Sequence, residues 1–138
     1  MCKGSTCDAN YDIVAVIVMT LVEKQHLFSR LAANLISFAT ELGYGIAFGD
    51  AMRSSEEANR LAAAGKGLSR SLHCDRLAID LILRKQDGSG KWIYLTKSED
   101  YVELGDFWKK QHELCRWGGD FVSRPDGNHF SITHEGRA

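Results

Sequence analysis

The sequence predicts an α+β fold, a small antiparallel sheet with flanking helices, on three observations. Apolar residues recur at steps of three and four between Thr20 and Leu42, the stripe of an amphipathic helix. Two short runs rich in branched and aromatic residues, Leu77 to Leu83 and Trp92 to Leu95, flank a cluster of turn formers, the pattern of a hairpin. A second helical stretch, Leu104 to Cys115, precedes a last apolar run from His129 to Thr133. Helices grouped around antiparallel strands define this class.

In chain order, Leu21, Leu27, Leu31, Leu35, Ile36 and Phe38 mark the first helix, and Gly43 stops it as a C-terminal cap. Tyr44 to Asp50 reads as a short strand whose glycines suggest a bulge or a close backbone approach. Ser54-Ser55-Glu56-Glu57 has the form of a capping box and opens a helix through Ala64, which Gly65-Lys66-Gly67 closes. Gln86 to Gly90 turns the hairpin. In the second long helix Phe107, Trp108, Leu114 and Cys115 supply the apolar face, and Trp117 to Phe121 breaks it. Pro125, Asp126 and Gly127 make a loop before the closing strand.

A chain of 138 residues, 44% hydrophobic and 25% charged, has the size and balance of one globular domain. A net charge of -1 and a pI near 6.5 give no global basic field, so nucleic acid is not an expected partner. The apolar run from Ile13 through Val22 is about half the length needed to cross a bilayer. Its flanks lack a cleavage site and a basic lead, so neither export nor stable membrane insertion is expected. The four cysteines, Cys2, Cys7, Cys74 and Cys115, form no regular framework, which fits reduced thiols.

Zinc chemistry needs deprotonated nitrogen, sulfur or oxygen ligands, and a catalytic site keeps a position open for water. His73 and Asp80 stand seven positions apart, across a loop that enters a strand, and His129 opens the last strand. Two neutral imidazoles and one carboxylate would leave a divalent ion a strong Lewis acid, able to lower the pKa of water toward ~7. Spacing alone leaves open that His73 is a surface loop residue and that Asp80 is satisfied by backbone donors. Against the latter, Leu77, Ala78, Ile79, Leu81 and Ile82 frame Asp80, and a carboxylate in such a strand needs a cation or strong hydrogen bonds.

The stretch Ser71-Leu72-His73-Cys74-Asp75-Arg76-Leu77-Ala78-Ile79-Asp80 resembles the S-x-H-x(4)-A-x-D signature of the zinc D-alanyl-D-alanine carboxypeptidases and the phage L-alanyl-D-glutamate endopeptidases. Asp126-Gly127-Asn128-His129 is similar to the second motif of that family, and Arg53-Ser54 to its preceding arginine. The resemblance runs from about Met19 to the C-terminus, in family order. It implies a hedgehog/DD-peptidase-like fold, a Zn2+ cofactor held by His73, Asp80 and His129, and Asp126 as general base. It further implies that Arg53 contacts the scissile carbonyl and that Ser71 bonds substrate or orients the ligand loop. The Cys-Arg-Trp-Gly-Gly and Asp-Gly-Asn-His-Phe-Ser segments resemble phage endolysins.

The expectation is therefore a monomeric zinc peptidase domain over residues 19–138, after a non-catalytic leader over residues 1–18. Its substrate would be the bacterial peptidoglycan stem peptide, cut at an L-Ala-D-Glu or D-Ala-D-Ala bond. The protein would wait in the host cytoplasm until released to the wall. Two other classes compete: a non-catalytic wall-peptide binding module, and a phage structural protein whose metal is closed by a fourth ligand such as Cys74 or His134. Arg76, where many family members carry Gly, implies either a different backbone turn between the ligands or a basic side chain facing the cleft. Cys74 is expected to point away from the site in a strand-like segment. His134 and Glu135 read as an exposed tail, His26 and His112 as residues of charged helix faces, and Trp117 and Phe121 as core.

Overall fold

The computed structural model describes residues 18–138. The proposed leader and any Cys2–Cys7 pairing therefore lie outside the described residues, apart from Val18. Helix α1 (Leu21–Glu41) begins at Thr20, whose hydroxyl accepts from the Glu23 amide while the Glu23 carboxylate accepts from the Thr20 amide. This reciprocal cap satisfies two donors that the first turn would otherwise leave free. The helix buries Leu27, Phe28, Leu31, Ala32, Leu35 and Ala39, the face its periodicity selects. Gly43, at φ +88, makes the left-handed exit.

Strand β1 (Gly45–Phe48) leads to α2 (Ser55–Ala63), then to a short 3-10 turn, Leu72–Asp75. Strands β2 (Ala78–Gln86) and β3 (Trp92–Leu95) form the hairpin. A second 3-10 turn, Ser98–Tyr101, runs into α3 (Val102–Gln111), and β4 (Cys115–Trp117) and β5 (His129–Ile132) follow. All pairings are antiparallel, in the order β1-β2-β5-β4 with β3 also on β2. The α+β class and the small flanked sheet agree with the sequence reading. Leu35, Leu77, Leu81, Leu83, Leu104, Trp108, Phe130 and Ile132 form the solvent-free centre of the core. The Trp108 indole N–H is shared between the carbonyls of Arg116 and Ser131, both at 3.0 Å, so one buried side chain ties α3 to β4 and β5.

Strand β2 is longer than any partner and forks. Gly45–Phe48 pairs with Leu81–Arg84 on one edge, and the Gly49 amide and Asp50 carbonyl continue that edge to Asp80, each at 2.8 Å. The other edge is divided: β5 takes Ala78–Asp80, and β3 takes Leu83–Gln86. In the gap the Tyr101 hydroxyl accepts from the Leu83 amide and donates to the carbonyl of Leu81 or Leu95, at 3.1 and 3.3 Å. Buried backbone groups between diverging strands must find partners, and one phenol supplies them.

Several sequence expectations need correction. The second long helix spans Val102–Gln111 and does not reach Cys115. His112 is extended rather than helical, and its Nδ1 accepts from the Leu114 amide at 3.1 Å, so it ends the helix instead of lying on its face. Cys115 opens β4, a strand absent from the sequence reading, and Trp117 closes it. Only half of the capping box at Ser54 forms. Its hydroxyl accepts from the Glu57 amide, but the Glu57 carboxylate binds Arg60 at 2.6 and 2.8 Å. Glu135 is exposed as expected, but His134 is half-buried and bridges back to Arg137, which pairs with Asp75 at 2.7 Å. Cys74 lies in a 3-10 turn, not a strand-like segment.

Candidate metal centre

The turn that carries His73 is built by Ser71, whose hydroxyl accepts from the His73 amide at 3.2 Å. That bond caps the 3-10 turn Leu72–Asp75 and sets the direction in which the imidazole leaves the backbone. The turn closes at Arg76 with φ 56 and ψ 37, the left-handed conformation that suits glycine. The backbone thus makes a turn of the kind glycine favours, with an exposed arginine on it. Leu77 then turns inward, and the chain enters β2 with Asp80 on the face opposite the buried Ile79 and Leu81.

Asp80 and His129 are directly opposed in the β2–β5 register, so their side chains leave the same face of the sheet. His73 Nε2 lies 3.3 Å from Asp80 Oδ1, and His129 Nδ1 lies 3.1 Å from the same oxygen. The three ligand atoms fall within 4.8 Å of one another. The His73 side chain is 3% exposed, that of His129 12% and that of Asp80 18%. His73 Nδ1 faces the Ala51 carbonyl at 3.4 Å. With the proton held on that nitrogen, Nε2 presents a lone pair toward Asp80, the arrangement that prepares an imidazole for a cation.

This donor set fits a small divalent cation. Tetrahedral bonds of about 2.0–2.1 Å put neighbouring ligand atoms ~3.3 Å apart, close to the two spacings around Asp80 Oδ1. Lone pairs converging at that distance repel unless a proton or a cation lies between them. Burial alone would raise the Asp80 carboxyl, but hydrogen bonding to His129 and His73, and their charges, hold it down at about 2. Among the described residues, neither Cys74 nor His134 joins the group, so a tetrahedral ion held by these three would keep one coordination position open.

Asp126 lies on the loop that leads into β5. Its amide donates to the Gly118 carbonyl at 2.8 Å, and its carbonyl accepts from the His129 amide at 3.1 Å. Although the residue is solvent-exposed, partial desolvation first, and the Asp80 charge second, raise its carboxyl above the ordinary range against the pull of the two histidines. Arg53 is tied to the turn that carries His73. Its amide donates to the His73 carbonyl at 3.2 Å, and its guanidinium donates to Asp50 at 2.7 Å. Its Nε is buried without a partner.

Sequence reasoning missed the residues that hold the Asp126 loop. A Cβ at Gly118 would overlap the Asp126 carbonyl oxygen and approach His129 Cβ to 2.8 Å. A Cβ at Gly127 would come within 2.5 Å of Ser98 Cα, while the Gly127 amide donates to Ser98 Oγ at 3.1 Å. The Trp117 indole, with Gly105 and Gly119 against it, donates to the Gly127 carbonyl at 2.7 Å. Trp117 is core as expected, whereas the half-buried Phe121 ring lies 5.7 Å from the His129 ring. The run of glycines around Trp117 was the available signal.

Comparison with known proteins adds an independent line. A family profile described as D-alanyl-D-alanine carboxypeptidase matches residues 64–132, half of the chain. That span includes Ser71, His73, Asp80, Asp126 and His129, while Arg53 precedes it. The Serratia marcescens L-Ala D-Glu endopeptidase ChiX has a similar solved structure, with a TM-score of 0.60 and 20% identity over 76% of this chain and 79% of that one. No curated protein matches the sequence.

Proposed function

The chain belongs to the D-alanyl-D-alanine carboxypeptidase family, and from that premise we propose that it is a zinc-dependent peptidase that hydrolyses a stem-peptide bond of bacterial peptidoglycan, of the L-Ala-D-Glu or D-Ala-D-Ala type. The observation that carries this reading is the convergence of His73 Nε2 and His129 Nδ1 on Asp80 Oδ1 at one largely shielded point. A zinc ion held by these three would supply Lewis acidity toward a peptide carbonyl and toward water.

The remaining work falls to the chain's own side chains. Asp126 accepts a proton from the attacking water and returns it to the leaving amine. A raised carboxyl suits that task, because a base nearer the working pH transfers protons in both directions more readily. Arg53, held by Asp50, brings fixed positive charge toward the carbonyl oxygen as it becomes an oxyanion. Ser71 acts through His73, by fixing the turn that aims it. The resemblance to phage sequences favours an endolysin, retained in the host cytoplasm until membrane damage admits it to the wall. The test combines metal analysis of the purified protein with turbidity loss on permeabilised bacterial walls. Stoichiometric zinc, and lysis abolished by a chelator and by Asp126→Ala, are expected. Protein that binds no zinc, or an Asp126→Ala variant as active as the parent, would overturn the proposal.

A further inference from the structure

The fork in β2 opens into a cavity of about 420 Å³ that the three metal-binding side chains do not line. Its floor is Ile82, two residues beyond Asp80 on the same face of β2. Tyr94 and Thr96 come from the end of β3, Ser98 from the following turn, and Asp126 and Asn128 from the loop that enters β5. The cavity therefore begins at the proposed general base and runs away from the metal group, along the gap between β3 and β5.

Its polar groups have donors to spare. Ser98 Oγ already accepts from the Gly127 amide, which leaves its O–H to donate. The Tyr94 oxygen accepts from the Arg84 guanidinium at 2.7 Å, which leaves the phenol proton free and polarised by a cation lying 4.4 Å from the ring centre. Thr96 and Asn128, which also line the cavity, are residue types that carry further donors. A wall with surplus donors selects an acceptor-rich group. The negative charge of Asp126 confines an anion to the far, Tyr94 end.

We propose that this cavity is a subsite for the free carboxylate on the substrate residue that departs with the leaving amine. The inference rests on the proposed function and deepens it. A base that returns its proton to the leaving amine has the leaving residue beside it, and the cavity starts at that base. Both candidate bonds supply the required group. A carboxypeptidase releases a residue with a free terminal carboxylate, and a departing glutamate has two carboxyls, of which the onward chain uses at most one. The cavity thus recognises a feature common to the two bonds.

The test uses the zinc-loaded full chain and two synthetic stem peptides, identical except that the leaving residue carries a free carboxylate in one and a methyl ester in the other. Tyr94→Phe and Thr96→Val remove single hydroxyls from exposed side chains. Each should raise KM for the carboxylate peptide by about tenfold, as expected for one hydrogen bond to a charged group, and should leave the ester peptide within about threefold of the parent. Equal effects on both peptides, or no effect on either while the parent cleaves them, overturn the subsite and leave the peptidase reading intact. If the parent cleaves neither peptide, the peptidase reading fails, and calorimetric titration of the carboxylate peptide decides the subsite. Affinity lost in both variants supports it, and affinity unchanged, or absent in the parent, overturns it.

Discussion

Replacing Gly118 by alanine puts one methyl group where the metal loop has no room. The added carbon would overlap the Asp126 carbonyl oxygen and lie 2.8 Å from His129 Cβ, and neither neighbour is a flexible side-chain tip. Relief requires the loop to lift, which stretches the 2.8 Å bond from the Asp126 amide to the Gly118 carbonyl. Overpacking costs about 1–3 kcal/mol and one weakened hydrogen bond about 0.5–1.5 kcal/mol, so a loss of about 2–4 kcal/mol is expected. Asp126 and His129 move with the loop, and a displacement of about 1 Å in a catalytic group costs about a hundredfold in rate. Urea unfolding and initial rates, both in excess zinc, measure the two effects. Gly88→Ala, with no atom within 4 Å of the new carbon, serves as control and should change stability by less than about 0.5 kcal/mol. Wild-type stability and turnover in Gly118→Ala would refute the reasoning, because they would mean that the Gly118 contact does not hold the loop.

Arg76→Gly should stabilise the protein by about 1 kcal/mol, since the left-handed turn strains any residue with a Cβ, and a melting temperature that falls would count against the assigned backbone. Asp50→Ala removes a partner of Arg53 that is 55% exposed, so stability should change by less than about 1 kcal/mol while turnover drops several-fold; turnover equal to the parent's would show that Asp50 does not aim Arg53. The Asp80 carboxyl is held at about 2, below its ordinary 3.8. Its contribution, about 2 kcal/mol, is therefore present above pH ~4 and lost as pH falls toward about 2. In chelator-treated protein, urea midpoints should fall across that window in the parent and fall less in Asp80→Asn, and identical slopes would contradict the assignment.

Much of this fold was legible because local and tertiary preferences coincide. The Leu27, Leu31 and Leu35 spacing marks the face that α1 buries, and the Asp87 carboxylate, by accepting from Ser89 and Lys91, makes the turn that its sequence announces. The end of α3 was illegible for a physical reason. Leu104, Trp108 and Cys115 keep helical spacing and are all buried, so the apolar period runs on after the backbone has left the helix. No glycine or proline marks the exit; the stop is His112, extended and bonded to the Leu114 amide. Strand β4 was hidden inside the same pattern.

The site divides along the same line. His73, Asp80 and His129 were nameable because their segments resemble the motifs of a known family, with the cost of a carboxylate inside an apolar strand without a cation as physical support. The residues that aim them were not, because their importance lies in contacts across long stretches of chain: Trp117 with Gly127, Ser98 with Gly127, Gly118 with Asp126. This separation has a mechanical consequence. Asp80 is fixed through its own backbone by Gly49 and Asp50 on one edge and opposed by His129 on the other, so two of the three proposed ligands stand on paired strands. Asp126 stands on a loop held by a tryptophan, a serine and glycine packing. A change at Ser98, which touches the loop at Gly127 and not β5, should therefore move the proposed base and the cavity beside it while the His73–Asp80–His129 triangle stays in register. On the proposed function, metal affinity and turnover are in this way separable by mutation, and the proposed leaving side is the side on which the fold allows specificity to vary.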